Sequence, residues 1–496
     1  MLGACPAAPP GHERRHGTVT RVSEPAERTL PYDVDAVVHA VDTGYHEWLA
    51  TLRELVRIPS VSGDPAHAVD VERSADAVSA ALEVAGLEQV RQRDVDGSPP
   101  YVLGEWVHRD DAPTVLLYAH HDVQPPGVVE NWTSDPFEPR ERGGRMYGRG
   151  SADDKAGAVA HAATVAAWLR TVGELPCNVR VLVEGEEEIG SPRLEAFLTK
   201  YLDELATDVL VLADASNWKV GVPGLTYSLR GIAGVDVTLR ALDGPVHSGM
   251  AGGVAPDPAM ALATVVASLV DEHGDLAVDG FADDATPLTD DERARIARLP
   301  DTSEELRQGW GVRPGVELAG DQAVSVYERL WRRPSVAVIG WDSHPIAGSS
   351  PQIVARATAR LNIRLAPGQD PERAHRLLRD HIAAQVPWGL ELEMTPRWSA
   401  PGWLSEPTGW AFEACERALR AGFGTDPVYM GVGGSIPFAE PFAAAFGGIP
   451  ALLLGPSDPS SRIHGEDESL HLDDWRKLIV SQVRLLAELP EAAPNL

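Results

Sequence analysis

The run Thr114-Val115-Leu116-Leu117-Tyr118-Ala119-His120-His121-Asp122-Val123-Gln124-Pro125 decides the fold. Thr114–Ala119 is apolar and short enough to be a buried strand, and the polar residues begin where it ends. A histidine and a carboxylate two residues apart at a strand end suit metal chemistry. The imidazole of His120 can supply one ring nitrogen to a metal, and Asp122 can accept the other ring N–H and fix the tautomer. By itself the pair is ambiguous, because His-x-Asp is common.

The surrounding pattern makes that strand one of a series. Asn178–Val183 and Asp208–Ala213 read as further strands, with helices expected at Ala156–Leu169 and Leu194–Leu205. Strand–helix–strand alternation predicts a mainly parallel sheet covered on both faces, an α/β fold. Upstream, apolar residues at three- and four-residue steps predict helices over Asp33–Arg57 and Val69–Ala85. After Gly224 the character changes. Leu225–Leu229 and Ile232–Leu239 read as strands of a different sheet, Asp257–Val270 and Pro371–Gln385 as helices, and Val336–Ile339 and Ile353–Leu365 as strands. The expected organisation is an extension without order over 1–30, a first domain over 31–225, an inserted α+β domain over 226–397, and the return of the first domain over 398–496. The returning part carries helices at Thr408–Ala421 and Leu470–Leu489 and a strand at Ala451–Leu454.

Acidic and histidine clusters fall at the expected strand ends. Gly148-Arg149-Gly150-Ser151-Ala152-Asp153-Asp154-Lys155 is a glycine-rich turn that delivers paired carboxylates to a helix start. Glu184-Gly185-Glu186-Glu187-Glu188 follows one strand, Asp214 ends another, and His464 lies in a late loop. The carboxyl edge is where open α/β sheets place their sites. Carboxylates gathered there repel one another unless cations neutralise them. Two histidines and three carboxylates suit two Zn²⁺, with Mn²⁺ or Co²⁺ also compatible.

Bulk properties exclude other classes. With 496 residues the chain is too long for one ordinary core. A formal net charge of −30 argues against nucleic acid and anionic membrane as partners. Three widely spaced cysteines (Cys5, Cys177 and Cys415) supply neither a disulfide framework nor a thiolate metal site, which fits a reducing cytoplasm. No apolar run reaches the length of a membrane span.

The ordered motifs resemble those of the M20 zinc peptidases, nearest the cytosolic non-specific dipeptidase and carnosine dipeptidase branch. The likeness runs from about Tyr45 to Leu489. It rests on Tyr118-Ala-His-His-Asp-Val-Gln-Pro, Tyr147-Gly-Arg-Gly-Ser-Ala-Asp-Asp-Lys, Glu184-Gly-Glu-Glu-Glu-Ile-Gly-Ser, Val246-His-Ser-Gly, Gly433-Gly-Ser-Ile-Pro and the His464 loop. The resemblance implies a parallel-sheet catalytic domain with an inserted ferredoxin-like, two-layer dimerisation and lid domain. It implies two Zn²⁺ per subunit held by His120, Asp153, Glu188, Asp214 and His464, with Asp153 bridging and the Asp153–Asp154 peptide cis. It also implies a metal-activated water with Glu187 as general base, and Asp122 as the residue that orients His120. His247, on the insert, would act on the partner's site in a homodimer. Arg364, Gly434 and Ser435 would hold the substrate's carboxylate. The implied reaction is hydrolysis of dipeptides or short peptides.

An N-acyl amino acid deacylase or a carboxypeptidase is the alternative within the family, and a catalytically silent peptide-binding dimer the alternative outside it. In the resembled family an aspartate at position 214 goes with dipeptidase and aminopeptidase members, which favours dipeptides. Two departures stand out. Ala156 intervenes between Asp-Asp-Lys and Gly157, and Ser349-Ser-Pro-Gln-Ile-Val lacks the family's usual pattern before the insert's long strand.

Overall fold

The structure is a computed structural model that describes residues 30–434 and 439–494. The expected N-terminal extension, Leu30 apart, and Ser435 lie outside the described residues.

A nine-stranded sheet organises the larger part of the chain. Its centre is four parallel strands in the order Asn178–Glu184, Thr114–His120, Val209–Leu212, Ala451–Leu453. Each is buried almost throughout, as a strand covered on both faces must be, and this is why they read as continuous apolar runs. Antiparallel strands Glu88–Arg93 and Tyr101–Trp106 extend one side. Gly224–Leu229, with Trp403–Leu404 and Val428–Val432 beside it, extends the other.

Helices cover both faces. On one side Val34–Val56, Ala68–Ala85, Lys155–Thr171, Trp410–Phe423 and Leu472–Ala492 enclose a core that includes Leu52, Val165, Trp168, Trp475 and Leu486. The Lys155–Thr171 helix is buried nearly all round, and its alanines let its neighbours approach closely. The indole N–H groups of Trp168 and Trp475 are satisfied by the carbonyls of Val483 (3.1 Å) and Ala156 (2.9 Å), so two large rings are buried without a stranded donor. On the other side Leu194–Tyr201 and Phe442 seal a smaller core around Tyr101, Leu116 and Leu210.

Four further strands form a separate antiparallel sheet in the order Ser335–Asp342, Arg356–Leu365, Gly231–Arg240, Glu391–Ala400. Helices Pro258–Ala267 and Pro371–Gln385 lie against one face and share a core with Val237, Leu262, Leu361 and Leu378. With two helices crossing over in a β-α-β-β-α-β sequence of elements, this is a ferredoxin-like layer pair. Strict alternation in Arg356–Leu365 follows from one face being packed and the other open.

The structure departs from the sequence reading around the junction of the two sheets. Leu225–Leu229 was expected in the different sheet. It belongs to the large one, buried on both faces between Leu453 and Val428–Val432. The chain passes to the second sheet at Gly231, one residue after Arg230, and leaves it at Ala400. The expected boundaries at 226 and 397 therefore fall inside strands. Glu391–Ala400 escaped notice because Pro396 and the mostly exposed residues of an edge strand hide the two-residue period.

Candidate metal centre

The parallel strands bring their carboxyl ends to one edge, and there the chemistry collects. His120 ends Thr114–His120 in register with Glu184, and Asp214 lies two residues beyond Leu212 in the neighbouring strand. Asp153 comes from the turn before the Lys155–Thr171 helix, and the Asp153–Asp154 peptide is cis. Glu187 and Glu188 start the single helical turn Glu187–Ile189. His464 reaches in from the loop before Ser469–His471, in left-handed backbone geometry.

Asp153 is the centre of this arrangement. One carboxylate oxygen is 3.0 Å from His120 Nε2 and the other 3.0 Å from His464 Nε2. His464 Nε2 is also 3.2 Å from Glu188 Oε2. His120 Nε2 is 3.9 Å from Asp214 Oδ2 and 4.0 Å from Glu187 Oε2. Two ligand groups thus share His120 within 4.8 Å: His120 with Glu187 and Asp214, and His120 with Asp153 and Glu188. His120, Asp122 and Asp154 are wholly buried, whereas His464 stands at the rim, 55% exposed.

The electrostatics of the cluster are set by burial and by charges close together. Burial raises the carboxyls of Glu187 and Asp214 well above the usual range, and neighbouring carboxylates add to this. Burial favours a neutral His120, yet its hydrogen bonds to Asp122 and Asp153 outweigh that and raise its pKa well above the ordinary value. His464 is raised to about 11 in the same way, by Asp153 and Glu188 against burial. Four carboxylates converging on two imidazoles in a buried setting call for added positive charge. Nitrogen and oxygen donors in this proportion, with one carboxylate presenting an oxygen to each side, fit a pair of divalent cations of the zinc type.

The supports are as specific as the ligands. Asp122 lies 3.4 Å from His120 Nδ1 through its side chain, and its backbone carbonyl lies 3.1 Å from the same nitrogen. Its carboxylate also accepts the N–H groups of Glu187 (3.2 Å) and Glu188 (3.0 Å) and the hydroxyl of Ser62 (2.5 Å). One residue therefore fixes a histidine and the turn carrying two glutamates. Gln124 grips Glu188 with its backbone N–H (3.1 Å) and its side-chain amide (2.9 Å). Gly157 is required by space: a Cβ there would lie 2.3 Å from Asp154 Oδ1. The glycine shifted by Ala156 thus leaves room for the Asp154 carboxylate. His121, beside the ligand, points away and meets the Pro100 carbonyl at 3.0 Å. Ser62, Gln124, Arg149 and Glu468 were not singled out from sequence. Only the positions of Gln124 and Arg149 within the quoted motifs offered a signal.

Other expected residues lie apart. His247 is exposed at the end of Val246–His247, and its Nδ1 accepts the Gly249 N–H at 3.0 Å; among the described residues no contact joins it to the cluster. Arg364 is half-buried on the open face of the second sheet. Burial lowers the pKa of nearby Arg230 to about 10, and the charge of Arg364 adds to this. Arg230 donates to the Gly433 carbonyl (3.2 Å), next to Gly434.

Comparison with known proteins defines the class. The model of Peptidase family M20/M25/M40 matches residues 116–488, and the chain belongs to that family. It is 33% identical over 440 residues to a cysteinylglycine-S-conjugate dipeptidase of Corynebacterium striatum, covering 88% of this chain and 94% of that one. The di-peptidase Dug1p of Saccharomyces cerevisiae superposes with a TM-score of 0.83 at 26% identity, over 93% of this chain and 99% of the other. Human carnosine dipeptidase 1 superposes with a TM-score of 0.81 at 26% identity, over 93% and 100% of the two chains.

Proposed function

We propose that this chain is a dizinc metallodipeptidase. The observation that carries the reading is the pair of 3.0 Å approaches of Asp153 to His120 and His464, the geometry of a carboxylate shared between two cations. His120, Asp214 and Asp153 would hold one Zn²⁺, and His464, Glu188 and Asp153 the other. When bound, the ions would supply Lewis acidity, bringing the pKa of a water toward neutrality and polarising the scissile carbonyl. Glu187 is the general base: it takes the proton of the attacking water and returns it to the leaving amine nitrogen.

Residues outside the cluster supply the rest. Arg364, Gly434 and Ser435 hold the substrate's terminal carboxylate, which limits the peptide's length on that side. His247 of the partner subunit donates to the carbonyl oxygen. A homodimer is supported by the edge strand Ser335–Asp342, whose outer edge pairs with nothing among the described residues and which exposes Val338, Ile339 and Trp341. Buried, unpaired Cys177 and Cys415 accord with a cytoplasmic setting, and no helix among the described residues is long and apolar enough to cross a membrane.

The test is metal analysis together with an assay panel of dipeptides, tripeptides and N-acetyl amino acids, before and after chelation and with Zn²⁺, Mn²⁺ or Co²⁺ restored. Dipeptide hydrolysis lost on chelation and regained with metal is expected, at about two ions per chain. A preference for N-acetyl amino acids would move the assignment to a deacylase. Protein with no bound metal and no turnover would be a silent homologue.

A further inference from the structure

We propose that Arg149 and Glu468 are positioning residues that set the geometry of the two-metal centre; this rests on the metal-site reading above. Both are essentially inaccessible, at 1% and 0%, and their ion pair is 2.6 Å long. Its other contacts run along the ligand-bearing segments. The Glu468 carboxylate accepts the backbone N–H groups of Gly150 (3.1 Å), Ala152 (2.9 Å) and Asp153 itself (3.2 Å). Arg149 Nη2 donates to the carbonyl of Gly465, next to His464, and to that of Pro125, next to Gln124, each at 3.2 Å. The Glu468 backbone carbonyl accepts the Gly148 N–H at 3.0 Å.

The chemistry of the pair suits this task. Three separate segments carry the bridging Asp153, the rim ligand His464 and the Gln124 that grips Glu188. The strand pairing of Ser469–His471 with Arg145–Tyr147 brings the Asp153 and His464 segments side by side, and the ion pair sets their spacing at the ligands. A planar guanidinium can serve several acceptors at fixed angles, and a carboxylate can take several N–H groups at once. Buried together, they satisfy each other's charge while fixing the spacing of the three segments. Asp153 and His464 are tied to this hub directly and Glu188 through Gln124, whereas His120 and Asp214 are fixed by the central strands.

Arg145 and Asp458 provide an internal comparison. They form an ion pair of 2.8 Å between the strand Arg145–Tyr147 and the loop that carries His464, bonded to Ser461 and Ser469 and, among the described residues, to no metal ligand.

The experiment measures zinc retained per chain against a graded chelator and the visible spectrum of the cobalt(II)-substituted protein. Glu468→Gln keeps the volume but removes the anion. Retention of the more weakly held ion is expected to fall about 10–100-fold, the usual effect of removing a partner that orients a ligand. The cobalt(II) spectrum should change and kcat should fall with KM near the wild-type value, while circular dichroism stays native. Arg149→Lys, which keeps the charge but cannot reach all three acceptors, should move the same readouts and serves if Glu468→Gln does not fold. Asp458→Asn should leave retention and spectrum unchanged. Wild-type retention and an unaltered spectrum in the Glu468 and Arg149 variants would overturn the inference. Equal losses in Asp458→Asn would overturn it too, reducing the hub to general stability. A wild-type chain that binds no zinc would instead sink the metal-site reading, and the inference with it.

Discussion

His161 gives the protein a pH dependence that can be worked out from its surroundings. It lies wholly buried in the Lys155–Thr171 helix, with Nε2 2.9 Å from the Tyr118 carbonyl and Nδ1 3.1 Å from the Gln482 amide. Burial lowers its pKa from 6.5 to about 4. The neutral ring has one N–H, given to the Tyr118 carbonyl, so Nδ1 must accept and the Gln482 amide must turn its nitrogen toward it. That orientation also gives the otherwise unpartnered Gln482 Nε2 an acceptor. The sign follows from linkage. As pH falls, the unfolded chain takes up the proton first, near 6.5, so stability is full above that value and is lost as pH falls toward 4. At about 1.4 kcal/mol per unit, the full loss is ~3 kcal/mol, of which ~2 kcal/mol is reached at pH 5.0 and almost none at pH 7.5. His161→Gln removes the titration. Denaturant unfolding of both proteins at the two pH values cancels every other titrating group, the metal ligands included. Wild type should lose ~2 kcal/mol more than the variant between pH 7.5 and 5.0. Parallel losses would refute the reasoning, because they would mean that the imidazole titrates near its ordinary value in the folded state.

Glu187→Gln should keep metal content unchanged and lower kcat about 10²–10⁴-fold, as loss of a general base does; metal analysis beside steady-state kinetics checks both halves. Gly157→Ala places a methyl group 2.3 Å from Asp154 Oδ1. It should cost about 1–3 kcal/mol by thermal unfolding, as overpacking does, and loosen metal binding through the Asp154 contact to the His120 N–H. Mixing separately inactive Glu187→Gln and His247→Ala chains tests the shared site. If His247 acts across the dimer, random exchange should restore about a quarter of wild-type activity, because half the dimers are mixed and each has one intact site. If it acts within its own chain, the mixture stays inactive.

Much of this was legible in the chain because periodicity and local chemistry are written there directly. Thr114–Ala119 had to be a buried strand because an unbroken apolar run so short has few other uses. Its neighbours followed from the same rule, and the helix Pro371–Gln385 carried its own cap in Asp370. The ligand candidates were legible because His, Asp and Glu cluster where such strands end. The junction was less so. Gly224–Leu229 and the start of Gly231–Arg240 are both apolar, yet they pair in different sheets. Pairing is set by contacts with residues more than a hundred positions away, and no local pattern records them.

The site divides in the same way. Sequence by itself determined which side chains could bind metal and which sheet edge would gather them, since both follow from residue type and strand direction. Only the tertiary structure decided that Asp153 faces both histidines, that Asp122 fastens the glutamate turn as well as His120, and that Arg149 and Glu468 tie three loops together. Those facts depend on distances of a few ångströms between segments as far as 319 residues apart. Such closeness arises when the helices and strands pack, and it leaves no trace in the order of the residues.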